Sequence, residues 1–214
     1  MKRIFDIILS LIVLLFFLPF GLVIILVLKF TGEGEVFYKQ HRVGKNGKLV
    51  GIYKFTTMLK DSPNLGAGDI TLKNDPRVLP CGKILRKTKL NEFPQFFNVL
   101  MGQLSMVGPR PLVKKQFDMI PKHLKNKISS LKPGITGLGS IVFRNEEKFL
   151  DNKKNSNVFY KKEIMPFKAL LECWYADNCS IIIDIILIFL TMISILLPNS
   201  LFYNKIFPTI PKHN

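Results

Sequence analysis

Residues 7–28 are 22 consecutive uncharged residues, nearly all aliphatic or aromatic. As one helix such a run reaches ~33 Å, enough to cross the hydrocarbon core of a bilayer. A secretory signal is a poor match, because no small-x-small cleavage pattern follows Leu28 and the run is long for a signal core. Pro19 divides the run into stretches of 12 and 9 residues, and a proline inside a helix removes a hydrogen bond and clashes with the preceding turn. Basic residues flank both ends: Lys2 and Arg3 before it, Lys29, Lys39, Arg42, Lys45 and Lys48 after it. The larger excess lies on the C-terminal side. Two arrangements satisfy this: a span with its N-terminus outside, or a re-entrant helix-break-helix whose two ends both stay in the cytoplasm. Pro19 as a membrane break favours the second.

The apolar character is confined to the ends. Of 31 basic and 15 acidic residues, 27 and 13 lie between positions 29 and 180, a net of +14 out of +16 for the chain. Such a charge is compatible with disorder in a polar chain, but 18 Phe and 48% hydrophobic residues exclude that here. It calls for an acidic partner: nucleic acid, anionic lipid or a phosphorylated substrate. The cations are dispersed rather than interleaved with aromatics in one segment, which argues against nucleic acid. Residues 180–197 are again apolar, interrupted by Asp184 and ended by Pro198. Only 13 uncharged residues follow the aspartate, short for a span, so an interfacial or partly inserted helix is expected. The chain thus divides into a membrane segment (1–30), a basic globular domain (31–180) and a membrane-associated C-terminal helix and tail (181–214). Cys81, Cys173 and Cys179 form no C-x-x-C pair, which excludes a disulfide scaffold and reads as buried, reduced thiols.

The fold class expected for the middle is α+β. Asn46-Gly47 between residues 36–43 and 49–55 predicts a β-hairpin. That reading also accounts for Gly44-Lys45-Asn46-Gly47-Lys48, which resembles a phosphate loop but has Leu49 where Ser or Thr is needed. Residues 61–69 read as a polar loop. Helical patterns follow at 83–85, 93–104, 113–119, 123–130 and 163–175, with a Pro133-Gly134 turn before residues 135–143.

His41, His123 and His213 have no metal spacing, and no hydrolase signature is present. Three other segments stand out. Asn91 is placed to cap a helix whose first turn holds Glu92, with Pro94 tolerated there and Gln95 following. Arg86, Lys87 and Lys89 just before that start make an anion site with the free amides and the helix dipole. In Gly108-Pro109-Arg110-Pro111 the prolines hold Arg110 on a stiff turn, suited to bidentate phosphate binding. Lys132-Pro133-Gly134-Ile135-Thr136-Gly137 supplies small residues that admit another backbone or a ligand.

Taken in order, these segments resemble the monotopic phosphoglycosyl transferases, the small bacterial sugar transferases. The resemblance covers nearly the whole chain: Lys2-Arg3-x-x-Asp6 before the proline-broken run, Phe37-x-x-Gln40-x-Arg42-x-Gly44, Tyr53-Lys54-Phe55-x-Thr57-Met58 and Asp75-Pro76-Arg77. It continues through Gly82-x-x-Leu85-Arg86-Lys87-Thr88, Glu92-x-Pro94-Gln95, Asn98-Val99-Leu100-x-Gly102, Ser105-x-x-Gly108-Pro109-Arg110-Pro111 and 132–137. It implies an enzyme that moves phosphosugar from a nucleoside diphosphate sugar, here a UDP-sugar, to polyprenyl (undecaprenyl) phosphate and releases a nucleoside monophosphate. That is the first membrane step of surface glycan assembly (lipopolysaccharide, capsule or exopolysaccharide). It implies a re-entrant helix at the inner leaflet of the bacterial cytoplasmic membrane, against anionic lipid, with the catalytic domain facing the cytoplasm. Mg²⁺ would be held by Glu92, and Lys54, Arg86 and Arg110 would lie near the phosphates. Asp75, Arg77, Gln95, Pro109 and Pro111 would be supporting residues, and Asp184 would face protein or water rather than lipid. Two phosphorylated reactants have to meet, so cations and a metal must neutralise the gathered charge.

The chain departs from the family at Asn91, where the family has the aspartate that forms a covalent phosphosugar intermediate. An amide is a very poor nucleophile beside a carboxylate. Three routes stay open: Glu92 takes over as nucleophile, polyprenyl phosphate attacks directly with Glu92 and Mg²⁺ assisting, or the chain is an inactive family member; a basic, membrane-tethered binding protein is the alternative of another class. Thr56 stands where the family more often has a basic residue. Residues 61–69 and 141–156, with Arg144, Glu146 and Glu147, are the segments expected to bear on donor choice.

Overall fold

The computed structural model describes residues 1–62, 75–144, 156–196, 203 and 206–211. Much of the first expected donor-choice segment, 61–69, and residues 145–155 of the second, including Glu146 and Glu147, lie outside the described residues. Among the described residues the chain is mixed α and β, as its patterning predicts. The apolar run forms α1 (Lys2–Phe30), a single helix of 29 residues, long and apolar enough to cross a membrane. Its buried residues, Asp6, Ser10, Gly21 and Leu28, repeat at a helical period and form one narrow stripe, while Leu15, Phe16, Phe20, Val23 and Phe30 are exposed.

The expected helix-break-helix is corrected in one respect: Pro19 lies inside a continuous helix and does not divide it. The missing amide costs one bond, and packing holds the helix on both sides of it. Phe17 lies 5.0 Å, ring to ring, from Phe93, and Gly21 faces the same ring. Both ends of α1 rest on the globular part. Arg3 donates to the carbonyls of Val99 (2.5 Å) and Leu100 (2.6 Å), and Leu28 is packed with Phe55 and Leu85.

Strands β1 (Phe37–Val43) and β2 (Leu49–Phe55) form the expected antiparallel hairpin, with Phe37 opposite Phe55 and Val43 opposite Leu49. Asn46 (φ 56°) and Gly47 (φ 75°) turn the chain in the left-handed conformation that this pair of residues tolerates. Helices α2 (Pro80–Thr88) and α3 (Gln95–Leu100) follow. Then come β3 (Ser105–Val107), α4 (Lys114–Asp118), α5 (Lys122–Ser129), β4 (Gly134–Thr136) and α6 (Leu138–Val142). A π-helical turn at Tyr160–Ile164 leads into α7 (Met165–Asn178), and α8 (Ile181–Leu196) is the apolar C-terminal helix.

β3 and β4 pair in parallel, Ser105 with Gly134 and Val107 with Thr136. Gly134 is required there, since a Cβ would stand 2.1 Å from the Gly108 amide nitrogen. The small residues of 132–137 therefore admit a backbone. The principal core, including Val99, Leu104, Val107, Leu138, Leu171 and Leu187, lies where α3, β3, α6, α7 and α8 meet. All three cysteines are free, but only Cys173 is buried: Cys179 is exposed and Cys81 half-buried.

Asp184, the charge inside the C-terminal apolar run, is 1% exposed. It accepts hydrogen bonds from Lys2 Nζ and, at 2.6 Å, from Tyr175 Oη. It faces protein, and the first and last helices are tied by an ion pair.

Candidate active site

The hairpin places Lys54 on β2 with its ammonium directed to Gln40 Oε1 (3.4 Å) on β1. The same oxygen receives Arg42 Nη2 at 2.7 Å, and Arg42 Nη1 lies 3.5 Å from the carbonyl of Pro111. Burial is the largest influence on Lys54 and pushes it down to about 8. Glu92 pulls it up, while Arg42, Arg110 and Arg86 push it further down. One ammonium thus senses three guanidinium groups and one carboxylate drawn from four segments: the hairpin, the end of α2, residues 90–92 and the 108–111 turn. Three of the phosphate-binding residues expected from sequence, Lys54, Arg86 and Arg110, are brought together with Glu92. Arg42 and Gln40 were legible only as motif letters, with no signal of their own for a role.

How Glu92 arrives there is local. Helix α2 ends at Lys89, which takes φ 63° and ψ 8°. Its amide bonds back to the Arg86 carbonyl at 3.3 Å. A left-handed lysine costs about 1–2 kcal/mol relative to its ordinary region. It turns the chain into a 3₁₀ turn at Leu90–Glu92, after which Pro94 and Gln95 begin α3. Asn91 does not cap a helix as expected: it lies inside that turn and makes no capping bond. The reason is the left-handed Lys89, which starts the 3₁₀ turn two residues early, so that α3 opens behind Pro94. Asn91 is buried and its Oδ1 has no hydrogen-bond partner. A buried polar atom without a partner costs about 1–3 kcal/mol.

The supporting residues divide. Gln95 is buried at the start of α3, and Pro109 and Pro111 bracket the exposed Arg110. Asp75 and Arg77 instead make their own buried pair, with Arg77 Nη2 2.6 Å from Asp75 Oδ2 and Nε 2.9 Å from Oδ1. Arg77 also donates to the Ser62 carbonyl at 2.8 Å. Thr56 is buried and its Oγ1 lacks a partner. Among the described residues no group of three or more His, Cys, Asp or Glu gathers.

Cations converging on a carboxylate beside an apolar helix are a setting for phosphate chemistry on a lipid. Comparison with known proteins gives the family. The chain is 35% identical over 199 residues to the exopolysaccharide production protein PSS of Rhizobium leguminosarum bv. phaseoli, covering 91% of this chain and 94% of the relative. It is 38% identical over 197 residues to the UDP-glucose:undecaprenyl-phosphate glucose-1-phosphate transferase of Klebsiella pneumoniae. It is 34% identical over 206 residues to the undecaprenyl-phosphate galactose phosphotransferase of Salmonella typhimurium. Each of these two alignments covers 89% of this chain but only 39% of the relative, so the chain spans well under half the length of either enzyme. The pattern of one family matches residues 1–198. The chain belongs to the bacterial sugar transferase family.

Proposed function

We propose that this chain transfers a sugar phosphate from a UDP-sugar to undecaprenyl phosphate at the cytoplasmic face of the inner membrane. The observation that carries the reading is the grouping of Arg42, Arg86 and Arg110 around Lys54 beside Glu92. Two anionic reactants repel each other in water, and fixed cations in a partly desolvated site offset that repulsion. The location fits a lipid acceptor: Phe93, next to Glu92, packs against Phe17 of the apolar helix in a tilted ring pair.

The re-entrant reading of α1 is supported by its contacts. Lys2 and Arg3 at one end and Leu28 at the other all pack on the same basic domain, an arrangement that suits a helix with both ends on one side of a membrane. The exposed residues of α1 and of α8, such as Ile182, Ile185 and Phe189, offer the apolar surface for that insertion.

The residues fit a Mg²⁺ ion. Glu92 supplies a carboxylate and Asn91 Oδ1 is a carbonyl oxygen without a partner, both hard donors, and Mg²⁺ ordinarily completes its shell with water and substrate phosphates. When bound, the ion neutralises phosphate charge.

Transfer proceeds by direct displacement. A phosphate oxygen of undecaprenyl phosphate attacks the sugar-bearing phosphorus, the bridging P–O bond breaks, and UMP departs with the electron pair. The product is undecaprenyl-diphosphate-sugar. Lys54, Arg42, Arg86 and Arg110 orient both phosphates, and the Asn91 amide supplies no nucleophile. A panel of UDP-sugars with undecaprenyl phosphate should release UMP with at least one donor. No release from any donor, with UDP still bound, would leave a binding protein in its place.

A further inference from the structure

Asn98 enters the sequence motifs with no chemistry of its own, since a carboxamide does not titrate and is a poor nucleophile. In the fold it is 0% exposed on α3 and makes three side-chain hydrogen bonds. Its Oδ1 accepts the backbone amide of Tyr53 at 3.0 Å. Its Nδ2 donates to the carbonyl of Gly51 at 2.8 Å and to Gln103 Oε1 at 2.6 Å. These partners fix the orientation of the amide: turned over, its oxygen would face two oxygens and its NH₂ group a backbone N–H. One side chain thus holds the backbone of β2 on either side of Ile52, in the way a neighbouring strand would. Tyr53, the second residue it holds, is followed directly by Lys54.

The same residue is tied to Glu92. A series of hydrogen-bonded turns leads from Lys89 into α3: the amide of Glu92 bonds to the Lys89 carbonyl, Phe93 to Leu90, Phe96 to Phe93 and Phe97 to Pro94, each at 3.1 Å. Glu92 and Asn98 therefore ride on one piece of chain, and Asn98 fastens β2 to it. An apolar side chain would fill this core position without the desolvation penalty of an amide. What the carboxamide adds is a fixed offset between the strand that carries Lys54 and the turn that carries Glu92.

We propose that Asn98 is a positioning residue for Lys54: its carboxamide locks β2 to α3 and so sets the place of the ammonium against Glu92 in the phosphate site. The proposal rests on the phosphate-site reading above and extends it to a residue of the core.

The test is UDP binding to the full chain in nanodiscs as a function of pH. The proteins are the unaltered chain, Asn98→Ala, Gln103→Leu, Lys54→Arg and the Lys54→Arg/Asn98→Ala double variant. In the unaltered chain the alkaline loss of affinity should centre on the Lys54 value of about 8, held down by burial first and by Arg42, Arg110 and Arg86 next, against the pull of Glu92. Asn98→Ala frees β2 and admits water to the ammonium. It should move that loss up by roughly half a pH unit or more and weaken binding at pH 7 about tenfold. Gln103→Leu leaves Asn98 in place but removes the acceptor that aligns its amide. It should give a smaller shift of the same sign, and it serves if Asn98→Ala does not fold. With Lys54→Arg, whose guanidinium does not titrate in this range, Asn98→Ala should produce no shift. A merely structural role would lower the thermal midpoint and leave the pH of the loss in place. An alkaline loss that stays at about 8 in both core variants, or an equal shift in the arginine background, would overturn the proposal alone. No alkaline loss in the unaltered chain would overturn the phosphate-site reading and the proposal with it.

Discussion

Asp6, near the start of the apolar helix, accepts hydrogen bonds from the Ser105 hydroxyl (2.9 Å) and the Met106 amide (3.0 Å). A charge that sequence alone assigns to a membrane flank is therefore 2% exposed and bonded to strand β3. One turn earlier, Lys2 Nζ donates to the carbonyl of Val107 at 3.2 Å. The start of α1 thereby clamps the strand that leads directly into Gly108 and Arg110. The start of the apolar helix and the placement of the arginine share one set of bonds.

Replacing Asp6 tests that clamp. Asp6→Ala leaves the Ser105 hydroxyl and the Met106 amide buried without an acceptor, a loss of about 1–3 kcal/mol for each orphaned group. Asp6→Asn keeps one acceptor oxygen and should lose less. Thermal unfolding in detergent should rank the unaltered chain above Asp6→Asn and that above Asp6→Ala. Equal midpoints for all three would mean that the contact contributes nothing.

Lys89 offers the opposite sign. Its φ of 63° is a region that glycine occupies without a Cβ penalty. Lys89→Gly should stabilise the protein by about 1 kcal/mol, since a left-handed lysine costs about that much or more. The check is a denaturant midpoint. A drop on substitution would show that the lysine side chain makes a compensating contact.

The hairpin was legible from Asn46-Gly47 because only a few residues accept that turn, and the short turn fixes the register of the strands on either side. The grouping of Lys54, Arg86 and Arg110 around one carboxylate was legible because the motifs that carry them are separate and ordered. The burial of Glu172 was not, since a glutamate within the helical pattern 163–175 reads as a solvated face until the packing of α7 is known. The capping role expected of Asn91 failed for a similar reason. Capping preference says nothing about a left-handed residue two positions earlier, and Lys89 is an unusual residue to hold that conformation. The continuity of α1 through Pro19 was also out of reach, because it depends on Phe93, seventy-four positions away in sequence.

Lys54 should make nucleotide binding sensitive to alkali. Burial and three neighbouring arginines hold it at about 8, so the cation that attracts phosphate is lost as pH rises through that value. UDP affinity should therefore fall between pH 7 and pH 9. Lys54→Arg keeps its charge across that range and should flatten the profile. Lys54→Met should be weak throughout, by roughly 1.5–3 kcal/mol for a lost charge-assisted bond. A flat profile for the unaltered chain would place Lys54 away from the phosphates.

Asn91 decides between the covalent and direct routes. Its Oδ1 is buried without a partner beside Glu92, and an amide oxygen there can accept a hydrogen bond or a metal but is a very poor nucleophile towards phosphorus. With UDP-sugar alone, intact-protein mass spectrometry of the unaltered chain should show no phosphosugar adduct on residue 91. Asn91→Asp restores a carboxylate in the same buried turn with almost unchanged volume. That variant should acquire an adduct and gain about tenfold or more in UMP release, at least about 1.4 kcal/mol off the barrier. A stable adduct on residue 91 of the unaltered chain would refute direct displacement. An adduct on Glu92 instead would move the nucleophile one residue along.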